Sequence, residues 1–385
     1  MKVALIGPAH DIHLWRWGQA LREAGADVLF VGIEEPPSHL HPYLCIGPPI
    51  KYPTLWDFLE RRHLLRKLLT QHKIELAHPI HLTPSGLWVW SSGFRPYVPY
   101  AMGADILEYA PSFRFIHRSW NLQSVTARLQ RRINVWIRRK VFPFVLRRIL
   151  SESVLSMGDN YEICFSKKFF EKNKTYIEMP TGISLSPKVC GAGRDKKYIF
   201  APRGATLLYQ ADIVLKAFRL YLERGGKHAL MLISGLYPAH PTIRQAAMEL
   251  RDLFSENFIF LEKSFSSIEI NNLWAEAVAF ISAPVYDGYS YAVAEGRMHG
   301  ALPIVNAIPA HLEILTHGYN AWFVEPFTPE RLADALLELE PILEGPPFWQ
   351  ARNQEWIEKF SNLVENARLF LKLVESALRL HSAYA

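Results

Sequence analysis

The sequence predicts an α/β protein made of two doubly wound, Rossmann-like domains in tandem. Three observations carry that prediction. Apolar strands alternate with amphipathic helices, the alternation begins afresh at Lys196, and a stretch rich in Gly, Ser and Pro separates the two starts. The length agrees, since 385 residues exceed one ordinary core and suit two domains of about 150 to 200 residues. With 49% apolar and 21% charged residues, neither a disordered tail nor a fibrous repeat fits.

The first start reads as strand KVALIG, a turn and helix in PAHDIHLWRWGQALREAG, then strand ADVLFVG. Leu14, Trp17 and Leu21 recur at helical spacing and form the buried face, and Gly25 stands where a helix C-terminal cap belongs. Further on, YVPYA is a strand followed by MGADI. The stretch Thr181 to Asp195, TGISLSPKVCGAGRD, reads as a linker, with the boundary near Pro187. The second start runs KKYIFAPRG, the helix ADIVLKAFRLYLERGG and the strand HALMLISG. It continues through NFIFLE, the helix IEINNLWAEA, the strand VAFISAP, a helix over Ala292 to His299, and LPIVNA. The predicted domains are therefore 1–187 and 188–359. The helical, aromatic tail from Pro346 is expected to pack back across both, with 360–385 on the first.

No apolar run approaches the roughly 18 to 20 residues that span a bilayer, and the apolar stretch from Val3 to Gly7 is too short for a signal-peptide core. A cytoplasmic protein is expected. Cys45, Cys164 and Cys190 are widely spaced and form no CxxC pair, which suggests neither a disulfide framework nor a zinc cluster. In HPIH, His78 to His81, Pro79 breaks the spacing that would align two ligands, so no metal is assigned.

Charge is concentrated. Between Arg114 and Arg148 stand nine Arg and Lys140 with no acid, so this segment carries +10 against a chain total of +6, leaving −4 elsewhere. Aromatic residues interleave with these cations. An anionic bilayer surface, reached through Arg131, Arg132, Arg138 and Arg139, competes with an acceptor-binding or intramolecular role and with a plain solvated helix face. No recognition motif supports nucleic acid.

In doubly wound folds, ligands bind outside the carboxyl ends of the strands. The candidates are thus Gly7 to His13 and Met102 to Ile106, which includes Gly103 and Asp105, in the first domain, and Arg203, Gly204, Ser234, Gly235 and Asp287 to Glu295 in the second. Gly7 is followed by no second or third glycine at dinucleotide spacing, which argues against NAD. His13 falls in the first helical turn, either as a proton carrier or hydroxyl binder or as a surface or capping histidine. In DGYSYAVAEGRMHGALPIVN, a small-residue loop precedes a helix whose N-terminal N–H groups suit phosphate or sugar oxygens, and two carboxylates suit hydroxyls. Alone, an acid pair at this spacing equally describes a solvated helix face.

The context of that pair resembles the retaining glycosyltransferases of family 4. The resemblance rests on Asp287 and Glu295 flanking seven residues, on Gly300 and Pro303, and on Glu313 ahead of His317-Gly318. Upstream, FIFLEKSFSSIEINNLWAEAVAFISAP is similar to the family's base-lining segment, and MGADI and MPTGIS look like weaker landmarks. The resemblance implies a GT-B fold, with two Rossmann-like domains facing each other across a cleft. The first would bind the acceptor and the second a nucleotide sugar. It implies Glu295 on the ribose, Asp287 against the donor sugar and Arg203 on the diphosphate, with Gly235, Gly288, Tyr289, Ser290 and Tyr291 lining the donor. His13 and Asp105 join Asp287 as catalytic candidates, and Gly7 and Gly103 lie on the acceptor side. No cofactor or metal is expected beyond the nucleotide sugar as substrate.

Several positions depart from the family pattern. Asp287 stands for a Glu, Tyr209-Gln210 for Lys-Gly, Ser290 for a Gly, Ser184 for an Asp and Met102 for a His. The expected activity is transfer of a sugar to a hydroxyl acceptor that is lipid-linked, lipopolysaccharide or polysaccharide, at the inner membrane face. The rivals are a degenerate nucleotide-sugar-binding protein or partner subunit, and a GT-B epimerase.

Overall fold

The computed structural model describes residues 1–32, 43–46, 55–102, 140, 142–158, 176–185, 197–235 and 239–383. Gly103, Asp105, Arg131, Arg132, Arg138 and Arg139 lie outside them. The described residues divide into two compact units, one holding those up to Ser184 together with those from Asn362 onward, the other running from Leu185 to Ser361.

In the first unit, β1 (Lys2–Ile6), α1 (Ile12–Glu23), β2 (Asp27–Gly32), β3 (Tyr43–Cys45), α2 (Leu55–Gln71) and β4 (Leu76–Pro79) build a parallel sheet in the order β3-β2-β1-β4. Both faces are covered. Val3 and Leu5 enter one core cluster while Ala4 and Ile6 enter another, which is why the strand is apolar at every position instead of alternating. After α3 (Leu87–Ser92), residues 97–101 run parallel to β4, with Tyr100 N–H donating to the Pro79 carbonyl at 2.9 Å. They hand the ladder on to β5 (Ser156–Gly158) and β6 (Tyr176–Glu178), and α4 (Phe142–Glu152) precedes that pair. Gly25 takes φ +97 just after α1, the left-handed conformation a helix C-terminus favours in glycine.

The second unit carries β7 (Tyr198–Ala201), α5 (Ala211–Glu223), β8 (Ala229–Ser234), α6 (Pro241–Leu253), β9 (Phe258–Glu262), α7 (Ser267–Glu276) and β10 (Ala277–Ser282). It continues with α8 (Tyr291–Met298), β11 (Leu302–Asn306), α9 (Pro309–Leu312), β12 (Trp322–Val324), α10 (Pro329–Glu344) and α11 (Gln350–Phe360). All six strands are parallel in the order β12-β11-β10-β7-β8-β9, the doubly wound arrangement. From β7 the chain winds toward β9, and from β10 it winds toward β12. The loops leaving these two adjacent strands therefore diverge, opening a crevice at the carboxyl edge.

The aromatic tail is two helices, with α11 packed on α8 in the second unit and α12 (Leu363–Ala383) packed on α1 in the first. Leu363, Ala367, Phe370 and Val374 of α12 complete the first unit's core. Among the described residues, no helix is long and apolar enough to cross a membrane.

Candidate active site

Arg203 follows β7, and Asp287 lies in the loop after β10. Their side chains meet across the crevice, Arg203 Nη2 donating to Asp287 Oδ2 at 2.8 Å, with less than a fifth of either side chain exposed. The Tyr209 ring covers the guanidinium at 4.5 Å. Burial pulls the Arg203 pKa down, but the charges of Asp287, Tyr209 and Glu295 outweigh it and raise it above the ordinary value. Arg203 is a fixed cation under the influence of both candidate carboxylates.

Local backbone chemistry holds these groups in place. The loops after β7 and β10 are joined by Val285 N–H donating to the Leu208 carbonyl at 2.8 Å and by Gln210 Nε2 donating to the Ala283 carbonyl at 3.0 Å. Gln210 adopts φ +50, so the glycine-like backbone survives at the position where the family pattern has Gly. Gly204, at φ +86 with open space around its missing Cβ, is a glycine for its turn alone. Gly288 N–H donates to Asp287 Oδ1 at 3.1 Å, orienting the carboxylate.

Ser290 stands at the N-terminal end of α8 without a side-chain capping bond, with Tyr289 and Tyr291 edge to face at 5.1 Å beside it, and Tyr289 shares a hydrogen bond with Ser361. Glu295 rides on α8. A Cβ on the next residue, Gly296, would come within 2.4 Å of the Phe280 ring, so this glycine lets the helix lie close on β10 and sets the depth of Glu295. Gly235, just past β8, is more remote, its Cβ direction facing the Lys263 carbonyl at 3.1 Å.

Two buried groups at this edge carry no family signature. Asn306 closes β11 and donates to the Pro284 carbonyl at 2.8 Å. His311, in α9, is fully buried with Nδ1 at 2.9 Å from the Asn306 carbonyl. Burial lowers its pKa, Arg203 adds to that, and the Asn306 bond and Asp287 oppose it.

In the first unit the carboxyl edge holds a different pair. Asp11 caps α1 by accepting the His13 N–H at 2.8 Å, and its other oxygen lies 3.0 Å from His81 Nε2. Burial raises the Asp11 pKa, but the His81 bond and the nearby His13 and His81 bring it below the ordinary value. His81 sits at φ +75, an uncommon setting for a residue with a side chain. Gly7 donates its N–H to the Val31 carbonyl at 3.1 Å, and a Cβ there would press on Leu14 at 3.0 Å. Sequence reading missed Asp11 with His81, whose 70-residue separation closes only because β1 and β4 are neighbours. His78 is a core residue on β4, and among the described residues no group of His, Cys, Asp and Glu could hold a metal ion.

Residues 199–340 match the family described as Glycosyl transferases group 1. Compared with curated proteins, the chain has no match. Among solved structures it is similar to the sucrose-phosphate synthase of Thermosynechococcus elongatus, with a TM-score of 0.72 and 14% identity over 100% of both chains. A glycosyltransferase of Rickettsia africae gives 0.68 and 13% over 98% of both, and HepE of Anabaena gives 0.68 and 12% over 98% of this chain and 100% of that one. The fold is thus GT-B, two Rossmann-like domains, and over residues 199–340 the chain has the sequence pattern of the group 1 glycosyltransferases, the family 4-like enzymes it resembles.

Proposed function

We propose that the protein transfers a sugar from a nucleoside-diphosphate sugar to a hydroxyl acceptor with retention of anomeric configuration. The observation that carries this reading is the Arg203–Asp287 pair spanning the divergence of β7 and β10, with Glu295 acting on the same guanidinium. An incoming diphosphate replaces Asp287 as the partner of Arg203, neutralising the leaving group. Asp287, released, accepts a donor-sugar hydroxyl, and Glu295 accepts the ribose hydroxyls. The departing phosphate oxygen takes the acceptor proton. Arg203 and the N–H groups at the start of α8 carry the diphosphate charge, so the reaction calls for no metal or other cofactor. Similar structures support the donor class: HepE has been solved with UDP, with UDP and glucose, and with UDP-glucose.

Acceptor hydroxyls are assigned to the first unit, at Gly7, Asp11, His13 and His81 and at Gly103 and Asp105. Peripheral docking on an anionic membrane through Arg131, Arg132, Arg138 and Arg139 extends the reading to lipid-linked or polysaccharide acceptors. Its support is α4, where Phe144 is 60% exposed beside the exposed Arg147 and Arg148. A second reading, a nucleotide-sugar-binding protein without turnover, is favoured by Tyr209, which covers Arg203 where the family pattern has a second cation.

A panel of nucleotide sugars tested by thermal stabilisation separates these. A donor at 100 times its dissociation constant adds about 2.7 kcal/mol. Turnover with an α-linked donor giving an α-linked product supports the proposal, an inverted product overturns retention, and binding without turnover selects the second reading.

A further inference from the structure

Four side chains at the carboxyl edge of β10 and β11 are at least nine-tenths buried and hold a polar atom with no partner: Ser282 Oγ, Ser290 Oγ, Asn306 Oδ1 and His311 Nε2. Arg203 Nε joins them across the crevice. Folded proteins leave few such atoms, because each costs about 1–3 kcal/mol. Their concentration at one sheet edge marks a place built for a polar ligand.

Of the five, only His311 can change its charge under ordinary conditions. Its Nδ1 faces the Asn306 carbonyl, an acceptor, so the proton of the neutral ring sits on Nδ1 and Nε2 presents a lone pair. The charged groups acting on it are Asp287, from the loop after β10, and Arg203, from the loop after β7. Glu295 reaches it only through its pull on Arg203. Glu313, beside α9, is exposed and does not figure among its electrostatic partners.

We propose that His311 takes up a proton at Nε2 when a nucleoside diphosphate binds, becoming the second cation of the diphosphate site. The inference rests on the nucleotide-sugar reading above. Unliganded, burial and Arg203 hold the imidazole toward its neutral form, outweighing the Asn306 bond and Asp287. A bound diphosphate reverses the local field by adding negative charge and engaging Arg203. A solvent proton then moves to Nε2, which turns from an unpaired acceptor into a donor, and no covalent bond is made or broken. The ring supplies a second charge to the site of Arg203, whose neighbour Tyr209 has none to give where the family pattern has Lys. Affinity for a diphosphate therefore rises as pH falls, through a group with no contact to solvent.

The test is calorimetric titration of the full chain with UDP and, separately, with inorganic pyrophosphate, at pH 6 and pH 8 and in buffers of different ionisation enthalpy. His311→Gln and His311→Asn are the variants. Asn preserves an N–H for the Asn306 carbonyl, so one folded variant remains if Gln disturbs packing. The expected result is that UDP affinity in the variants falls about tenfold at pH 6 and less than about threefold at pH 8, the tenfold being one charge-assisted hydrogen bond. Proton uptake at pH 7 should be larger in the wild type than in either variant. The ligands' own phosphate ionisation is common to all three proteins and cancels. Equal uptake and equal pH dependence in wild type and variants overturn the role of His311 while leaving the nucleotide reading standing. No binding of UDP by the wild type overturns both.

Discussion

Two histidines, one in each unit, are equally buried and differ in a single bond. His78 on β4 and His311 in α9 both show 0% exposure, and both set Nδ1 against a backbone carbonyl, Val98 in one case and Asn306 in the other. His78 Nε2 accepts the indole N–H of Trp17 at 3.0 Å, and its ring stacks at 4.6 Å on Phe370 of α12. His311 Nε2 has no partner. The first is a satisfied core residue whose neutrality is an end in itself. The second keeps one valence for something that arrives. Burial alone does not distinguish structure from function; completeness of hydrogen bonding does.

The largest loss of stability is expected from Trp17→Ala. It removes a fully buried indole and strands His78 Nε2, so we expect about 3–5 kcal/mol of lost stability. Denaturant unfolding measures it. UDP affinity of the protein that remains folded should not change, because the proposed nucleotide site lies in the second unit.

Acid should act next, through His78. Burial lowers its pKa to about 4, well under the roughly 6.5 of an unfolded histidine, so the unfolded chain binds the proton first. Its contribution is complete above about pH 6.5 and is lost as pH falls through about 4. The gap amounts to about 3 kcal/mol. His78→Gln should flatten the unfolding free energy over that window, and an unchanged slope would assign the acid lability to other groups.

Glu295→Ala belongs to the functional side and should weaken UDP binding by about 1.5–3 kcal/mol, the worth of a charge-assisted hydrogen bond. Thermal unfolding without ligand should barely move. A folded variant with undiminished UDP affinity removes Glu295 from the ribose.

His311→Gln should alter the stability of the unliganded protein by no more than about 1 kcal/mol, since Nε2 holds no bond to lose. Chemical denaturation compares it directly with His78→Gln, which is expected to cost more because two bonds are lost there.

The two units were not equally legible in the sequence. Strands such as β8 and β10 are six residues long and apolar up to a closing serine, buried on both faces, and they announce a parallel sheet. In the first unit β3, β5 and β6 are three residues each, too short to show a period, and they join a sheet only through register with distant partners. The same limit applied to the sites. Asp287, Glu295 and Arg203 stand in a recognisable pattern. His311 is a lone histidine in a helix of four residues, and its meaning lies in which carbonyl faces Nδ1 and what fails to face Nε2. Gln210 shows another boundary: sequence registers the loss of a glycine, whereas the backbone at φ +50 keeps the shape that glycine would give.

The exchange of α12 onto the first unit orders events in time. Residues 185–361 are one uninterrupted stretch and complete their own sheet as they are made, but the first unit lacks a wall of its core until Leu363, Ala367, Phe370 and Val374 arrive. At a synthesis rate of about 5–20 residues per second, the intervening residues hold that wall back for roughly 10 to 35 seconds. During that interval the apolar face of α1 around Trp17 is the surface a holding chaperone would find, and a fragment cut at Ser184 would keep it permanently.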